Sequence, residues 1–429
     1  MLTREQNELL CRVEGNAPMG GIMRRHWLPV CMSEEVVGRD GTPVRSRLLG
    51  EDLVVFRDTN GTLGVLGEYC LHRRASLAFA RNEECGLRCL YHGWKFDVEG
   101  NVVDMPSEAP GAAERLGKKA KAYPAREAGG FVWIWMGPKD EMRELEPPAW
   151  APQPGIKYAI VKMWTDCNWA QVLEGSIDSA HSSTLHSTNM PAAEDVYGST
   201  ATDEAWLRPS NDKAPRLQFE PTPYGFRYAA IRKPIKNPET HQYVRTTLFI
   251  APFTVLIPPN NRYHLAQMLV PIDDVNTMFY WIAWHPDPAK GITQEAWRKF
   301  CAAEVGVDID RNYRKIRTLA NNYLQDREAM KRGDWTGIKG IPAQDMAMWE
   351  SMGPITDRSE DHFGSSDLAV AQFRRMMVAA AKKFAEGGAA IGTSEHTPHV
   401  KLASFEGVVP KSVDWRTLGT PADDPVTAK

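Results

Sequence analysis

Two cysteines and two histidines fall in one short window of this 429-residue chain. Cys70 and His72 are separated by one residue in "YCLHRR", and Cys89 and His92 by two in "CLYHGW". Sixteen residues divide the pairs. Four soft ligands in two clips can hold one zinc ion tetrahedrally or a pair of irons. The usual zinc arrangement keeps Cys with Cys and His with His, whereas here each clip carries one of each. That mixing suits a [2Fe–2S] cluster in which each loop gives one thiolate to an inner iron and one imidazole to an outer one.

Two histidines on one iron define the Rieske type, whose neutral ligands raise its potential above that of all-Cys clusters. Gly86 and Gly93 suit the tight turns such loops need. Cys85, four residues before Cys89, reads as a bystander. A cluster of this kind carries one electron and does no chemistry on a substrate by itself, so it calls for a client.

The stretch "NWAQVLEGSIDSAHSSTLHS" supplies one through Glu174, Asp178, His181 and His186. On a helix expected over 165–187, Glu174, Asp178 and His181 lie at i, i+4 and i+7, on one face. His186 comes five residues later, so the helix should loosen to bring both imidazoles to one point. Two histidines with a distant carboxylate make the facial triad of non-haem Fe(II) oxygenases. Two surface histidines among serines would be the plainer reading of H-x4-H alone. The neighbouring carboxylates and the upstream cluster motif outweigh it.

The elements that must position these residues change along the chain. Residues from about 40 to 140 are strand-rich. The segment "SRLLGEDLVVFRDTNGTLGVLG" predicts a hairpin turning at Asp58–Gly61, and "KFDVEGNVVD" a second one turning at Glu99–Asn101. "GGFVWIWMG" reads as a buried strand, and the Pro-rich "LEPPAWAPQPG" as a linker. Beyond it come aromatic and β-branched strands, among them "YVRTTLFIAPFTVLIPP" and "MFYWIAWH". Helical patterns follow in "TQEAWRKFCAAEV", "YRKIRTLANNYLQDREAMKRG" and "DLAVAQFRRMMVAAAKKFAEGG". Strands followed by helices, without alternation, predict an α+β chain.

With both motifs in place, the chain resembles the Rieske non-haem iron ring-hydroxylating oxygenases over residues of about 20 to 380. Its length and the stretch "IPAQDMAMWESMGPITDRSEDHFGSSD" look most like the phthalate dioxygenase group. The resemblance implies an N-terminal all-β Rieske domain over 27–145. A catalytic domain over 156–400 would follow, with a central antiparallel sheet flanked by helices. It implies that Cys70 and Cys89 bind one cluster iron, His72 and His92 the other, and His181 and His186 the mononuclear Fe(II). Asp178 would bridge His92 of a neighbouring subunit to His181, which implies a trimer or a stacked hexamer. Electrons would come from NADH through a separate flavin and iron–sulfur reductase, and O2 would be added to an aromatic carboxylate as a cis-diol. Relatives often carry Asn where this chain has Glu174, and Glu174 has no assigned role.

For the third iron ligand the sequence offers Asp326 and Asp345. Asp326 sits in the charged "LQDREAMKR", a solvated face. Asp345 lies among Met346, Met348 and Trp349, where a carboxylate is costly unless paired or metal-bound. The family pattern also favours an Asp followed five residues later by Glu, here Glu350. Asp345 is the expected ligand.

An aromatic acid needs guanidinium forks, because Arg matches a carboxylate with two donors. Arg208, Arg216, Arg227, Arg232 and Arg245 fall in the strand region. Arg245 interrupts an otherwise apolar run and is the first candidate; Arg208, behind Trp206 and Leu207, is the second.

Composition narrows the rest. Net charge is −3, with 43% apolar and 24% charged residues. Without a basic surplus, nucleic acid and anionic membranes are poor partners. The first twenty residues lack a signal-peptide core, and no run approaches the roughly 20 apolar residues of a membrane span. Seven scattered cysteines argue against a disulfide scaffold and for a cytoplasmic protein. No G-x-G-x-x-G fingerprint occurs, so pyridine-nucleotide binding is expected on another chain. Two other readings share many of these residues: a Rieske monooxygenase or O-demethylase of an aromatic acid, and a non-catalytic Rieske electron carrier.

Overall fold

The computed structural model describes residues 1–194, 206–260, 263–395 and 399–419. The chain separates into two compact units, residues 13–145 and residues 146–429 together with 1–12. The helix Arg4–Cys11 therefore belongs with the second unit, ahead of the first expected domain.

The first unit holds three small antiparallel sheets. The strand Glu51–Arg57 pairs with Val44–Leu48 on one side and Leu63–Gly67 on the other. Its Leu53–Phe56 run is fully buried, which is why apolar β-branched residues persist there. Asp58 closes the following turn by accepting the N–H groups of Asn60 and Thr62 at 2.9 and 2.7 Å. A four-stranded sheet orders Arg81–Glu83, Gly86–Arg88, Lys95–Phe96 and Val102–Asp104. Leu87, Phe96, Trp94, Leu77 and Val54 form its core, with Cys70 and Cys89 among them.

The second unit is built on eight antiparallel strands. Their order is Tyr158–Thr165, Thr277–Trp284, Tyr263–Pro271, Thr254–Asn260, His241–Ile250, Gly225–Arg232 and Arg216–Thr222. Phe405–Pro410 is the eighth, pairing with the first part of His241–Ile250. That central strand is buried at nine of its ten positions, so each polar side chain on it must find a partner inside the protein. The helices Trp169–Ser176, Ile341–Ser351 and Leu368–Ala385 pack around the sheet and one another. No helix among the described residues is long and apolar enough to cross a membrane.

Two expected helices are shorter than their patterns. The one expected over 165–187 spans only Trp169–Ser176, opened by Asn168, whose side chain accepts the Ala170 N–H. Past its end Asp178 takes the Ala180 N–H at 2.7 Å, a side-chain bond that competes with helical continuation. Glu174, Asp178 and His181 therefore do not share a helical face. The segment "YRKIRTLANNYLQDREAMKRG" is mostly irregular. Tyr313 and Asn322–Leu324 adopt positive φ, and only Arg327–Lys331 forms an α-helix. Asp310 takes the N–H groups of Asn312 and Arg314, and Asp326 serves as the short helix's N-cap. Local polar bonds override the apolar periodicity there.

Candidate metal centres

The two Cys/His clips are built alike. In the first, Arg74 N–H donates to the Cys70 carbonyl and Cys70 N–H to Ala75; in the second, Gly93 N–H donates to Cys89 and Cys89 N–H to Trp94. Each cysteine thus opens a turn closed by the same i+4 and i+5 backbone bonds. Gly93 has φ of +78°, and a Cβ there would meet Pro106 at 2.5 Å, so glycine is required. Both thiols are buried. Burial is the main reason the Cys70 thiol is pushed up to about 11; the His72 N–H pulls it down, and adjacent Cys89 pushes it further up. The imidazoles of His72 and His92 lie 4.3 Å apart by ring centroid, and His72 stacks on Trp94 at 4.8 Å. His72 Nδ1 is buried with no hydrogen-bond partner among the described residues, a donor set aside for something else.

The fit to a cluster is better than to one ion. Each clip pairs one buried thiol with one half-buried imidazole, and the two imidazoles lie side by side, 4.3 Å apart by ring centroid. Two buried thiols backed by two half-buried imidazoles match the inner and outer irons of a [2Fe–2S] pair.

The second centre joins distant parts of the chain. His186 Nε2 lies 3.0 Å from Asp345 Oδ1, and His181 Nε2 3.5 Å from the same oxygen. Asp345 comes from the helix Ile341–Ser351, whose first turn is entered through Gly340 at φ +87°. Burial alone would raise the Asp345 carboxyl, but His186 and His181 hold it down at about 2. Burial likewise disfavours a charged His181, yet Asp178 and Asp345 together hold it up at about 10. Asp178 Oδ2 stands 3.4 Å from His181 Nδ1, an ion-pair distance too long for a good hydrogen bond. His186 Nδ1 is 2.8 Å from Gln344 Oε1. Two imidazoles and one carboxylate at this spacing are the donor set of a non-haem Fe(II) site. Asp326, the alternative third ligand, is a helix cap and lies outside this group.

The helix Ile341–Ser351 is fixed from behind. Glu350 is buried between Lys315 Nζ at 2.7 Å and the Tyr323 hydroxyl, and it also accepts the Asp166 N–H at 2.9 Å. Trp349 packs against Gly175 of the helix Trp169–Ser176, where a Cβ would meet Trp349 Nε1 at 2.1 Å. Glu174 faces away from the metal: Arg358 and Arg374 each donate to it at 2.8 Å.

A cavity opens beside His181, His186 and Asp345, walled by Ser179, Ser182, Arg245, Trp206, Trp281 and Trp349. Arg245 reaches it, but its charge is engaged by Glu406 at 2.7 Å. Arg208 stands one layer behind, donating to Ser182 and Ser183 at 3.0 and 2.9 Å. Arg232 does the same behind Ser179, at 2.7 Å to its carbonyl. Burial, then neighbouring Arg208, lowers Arg232 to about 10. Among the described residues neither Arg208 nor Arg232 has a carboxylate at ion-pair distance, whereas Arg245 has Glu406. Sequence reading singled out neither Arg232 for this position nor Gln344 at all. Gln344 had one available signal, its place immediately before the expected ligand Asp345.

A β-rich [2Fe–2S] unit followed by a sheet-and-helix unit with a two-His, one-carboxylate site is the architecture of the Rieske non-haem iron oxygenases, and this chain belongs to that family. Residues 26–124 match the Rieske [2Fe–2S] domain and residues 134–426 the LigXa C-terminal domain like family. The family carries a Rieske cluster and a mononuclear iron. The phthalate 4,5-dioxygenase oxygenase subunit of Pseudomonas putida is 58% identical, covering 97% of this chain and 94% of that protein. The 3-chlorobenzoate-3,4-dioxygenase oxygenase subunit of Comamonas testosteroni is 36% identical, covering 97% and 98%. A solved structure of the Pseudomonas putida CBB5 NdmA QL mutant with caffeine shares the fold, with a TM-score of 0.58 over 87% of this chain and 95% of that one, at 18% identity.

Proposed function

We propose that this chain is the oxygenase component that cis-dihydroxylates phthalate or a closely similar aromatic dicarboxylate. Its 58% identity to a phthalate 4,5-dioxygenase oxygenase subunit suggests the substrate class. The observation that carries the reading is the group of three buried guanidinium groups, Arg208, Arg232 and Arg245, at or directly behind the cavity wall. A dianion entering this cavity would meet Arg245 directly and the positive field of Arg208 and Arg232 through Ser182 and Ser179, and buried charges are stable only when compensated.

In this reading Cys70, His72, Cys89 and His92 hold the cluster, and His181, His186 and Asp345 hold the iron. The cluster would deliver single electrons, and the iron would activate O2 beside the bound ring. The chain's own residues do the rest. Ser179, oriented by Arg232, presents its hydroxyl to a substrate carboxylate, and Ser182, which accepts from Arg208, would turn its proton from the Ser179 carbonyl to do the same. Arg245 adds a donor from the sheet, while Trp206, Trp281 and Trp349 exclude water and confine the ring. Asp178 orients His181 and links it to His92 of a neighbouring copy in a trimer or stacked hexamer. A separate reductase supplies electrons from NADH.

Turnover of phthalate with a compatible reductase under ¹⁸O2 tests the activity. A dihydrodiol carrying two labelled oxygens is expected. A phenol with one labelled oxygen, or release of formaldehyde from methoxybenzoates alone, would replace this reading with a monooxygenase or demethylase. Co-expressing Cys89→Ser chains with His181→Ala chains tests the link between copies. Activity in the mixed assembly, absent from either alone, is expected.

A further inference from the structure

We propose that Gln344 is a positioning residue for the iron, its side-chain carbonyl fixing the tautomer of His186 and aiming Nε2 at the metal. The inference rests on the iron-site reading above and deepens it. The Ile338 carbonyl can only accept a hydrogen bond, and it lies 2.9 Å from Gln344 Nε2. That contact identifies Nε2 as the amide nitrogen, and a second donation, to Asn189 Oδ1 at 3.0 Å, agrees with it. The remaining atom, Oε1, faces His186 Nδ1 at 2.8 Å and can only accept. Nδ1 must therefore carry a proton, so Nε2, 3.0 Å from Asp345 Oδ1, is the nitrogen whose lone pair a metal seated between the two would take.

Gln344 is 2% exposed and adjoins Asp345 in the chain, so one helix supplies both a ligand and the group that orients another ligand. It also grips the turn after His186, because Asn189 donates its N–H to the His186 carbonyl at 2.9 Å. The two imidazoles are thus backed unequally: His181 by the carboxylate of Asp178, His186 by a neutral amide. Groups behind metal-binding histidines set ring orientation and ligand basicity. A neutral partner on His186 leaves the Asp178 side as the single charged link to the site.

Gln344→Met removes the acceptor at similar size, while Gln344→Glu keeps an acceptor toward His186 and loses both donations. Fe(II) affinity is measured on chains with an intact cluster, checked by its visible absorbance and by melting temperature. Gln344→Met is expected to weaken Fe(II) binding by about 10–100-fold, while Gln344→Glu, which melts lower because it buries an added carboxylate, should lose less Fe(II) affinity than Gln344→Met. In the Co(II)-loaded protein, the shifted, exchangeable proton signal of His186 Nδ1 should persist in wild type and Gln344→Glu and broaden in Gln344→Met. Equal losses in both variants would mean a merely structural amide, and unchanged binding in Gln344→Met would also overturn the proposal. A wild-type chain taking no Fe(II) beyond its cluster would instead overturn the underlying site assignment, visible without any substitution.

Discussion

Arg245 and Glu406 face each other directly across neighbouring antiparallel strands, Nη1 to Oε1 at 2.7 Å, and both are buried. Tyr243 joins the pair through its hydroxyl. Removing one partner of such a pair leaves an uncompensated buried charge. Arg245→Ala should therefore cost about 3–5 kcal/mol of stability as well as raise KM for phthalate. Arg245→Met combined with Glu406→Leu should regain most of that stability in chemical denaturation while KM stays high. If the double variant also recovered KM, Arg245 would have no part in binding.

Arg208 has no carboxylate at ion-pair distance among the described residues and acts on the cavity through Ser182, so its loss should weaken binding as well as remove its bonds to Ser182 and Ser183. Charge-assisted hydrogen bonds contribute about 1.5–3 kcal/mol. Arg208→Ala should raise KM for phthalate by about 10–100-fold, the same energy expressed as affinity. For benzoate, with one carboxylate fewer, the rise should be smaller. Equal effects on both acids would place Arg208 outside dicarboxylate recognition.

Asp178 touches His181 rather than the expected ligand atoms. Asp178→Asn should leave iron content and cluster reduction by the reductase nearly intact. Product formation in a single turnover of the prereduced protein should slow by about 10–100-fold. A normal single-turnover rate would remove Asp178 from the connection between the centres.

Glu174 gives the clearest pH signature. Burial alone would raise its pKa, but the Arg358 charge and the Arg374 hydrogen bond outweigh burial and lower it. A lowered folded-state pKa means stability that is present above the unfolded carboxyl value of about 4.3 and lost as pH falls through the folded one. Glu174→Gln should cost about 3–5 kcal/mol near pH 7, and the gap to wild type should begin to narrow below about pH 4 and close once pH falls below the folded value. A gap independent of pH would mean that the charge of Glu174 does not matter.

The cluster assignment can be tested by potential. Replacing His92 with Cys puts thiolate where a neutral imidazole is proposed. All-Cys clusters of plant type lie near −400 mV against about −150 to +300 mV for Rieske centres. A red-brown His92→Cys protein with a potential lowered by at least about 100 mV is expected in a voltammetric titration. An unchanged potential would show that His92 is not a ligand.

Much of both centres was legible because the signals are local or chemically costly. The Cys70–His92 clips lie within one run of chain, and Asp345 stands out as an acid in an apolar segment. Glu174 was not legible, since its partners Arg358 and Arg374 lie 184 and 200 residues away in sequence. Arg232 was hidden for a similar reason: its serines sit on the turn after Trp169–Ser176, and only sheet packing brings them to it. The overcalled helices at 165–187 and 313–333 failed where Asp178, Asp310 and Asp326 bond to backbone N–H groups. Apolar spacing does not register that competition.

Gly175 has a consequence for anyone wishing to reshape this enzyme. The gap between the helix Trp169–Ser176 and the indole of Trp349 is set by a missing carbon. Position 175 will therefore score as intolerant in any mutational survey, although glycine offers no group to bind or react. Shortening Trp349 alone would open the cavity toward bulkier rings, whereas any side chain at 175 must wait for that change, because its Cβ would meet the indole at 2.1 Å. The order of substitution therefore matters: a change at 349 must precede any change at 175.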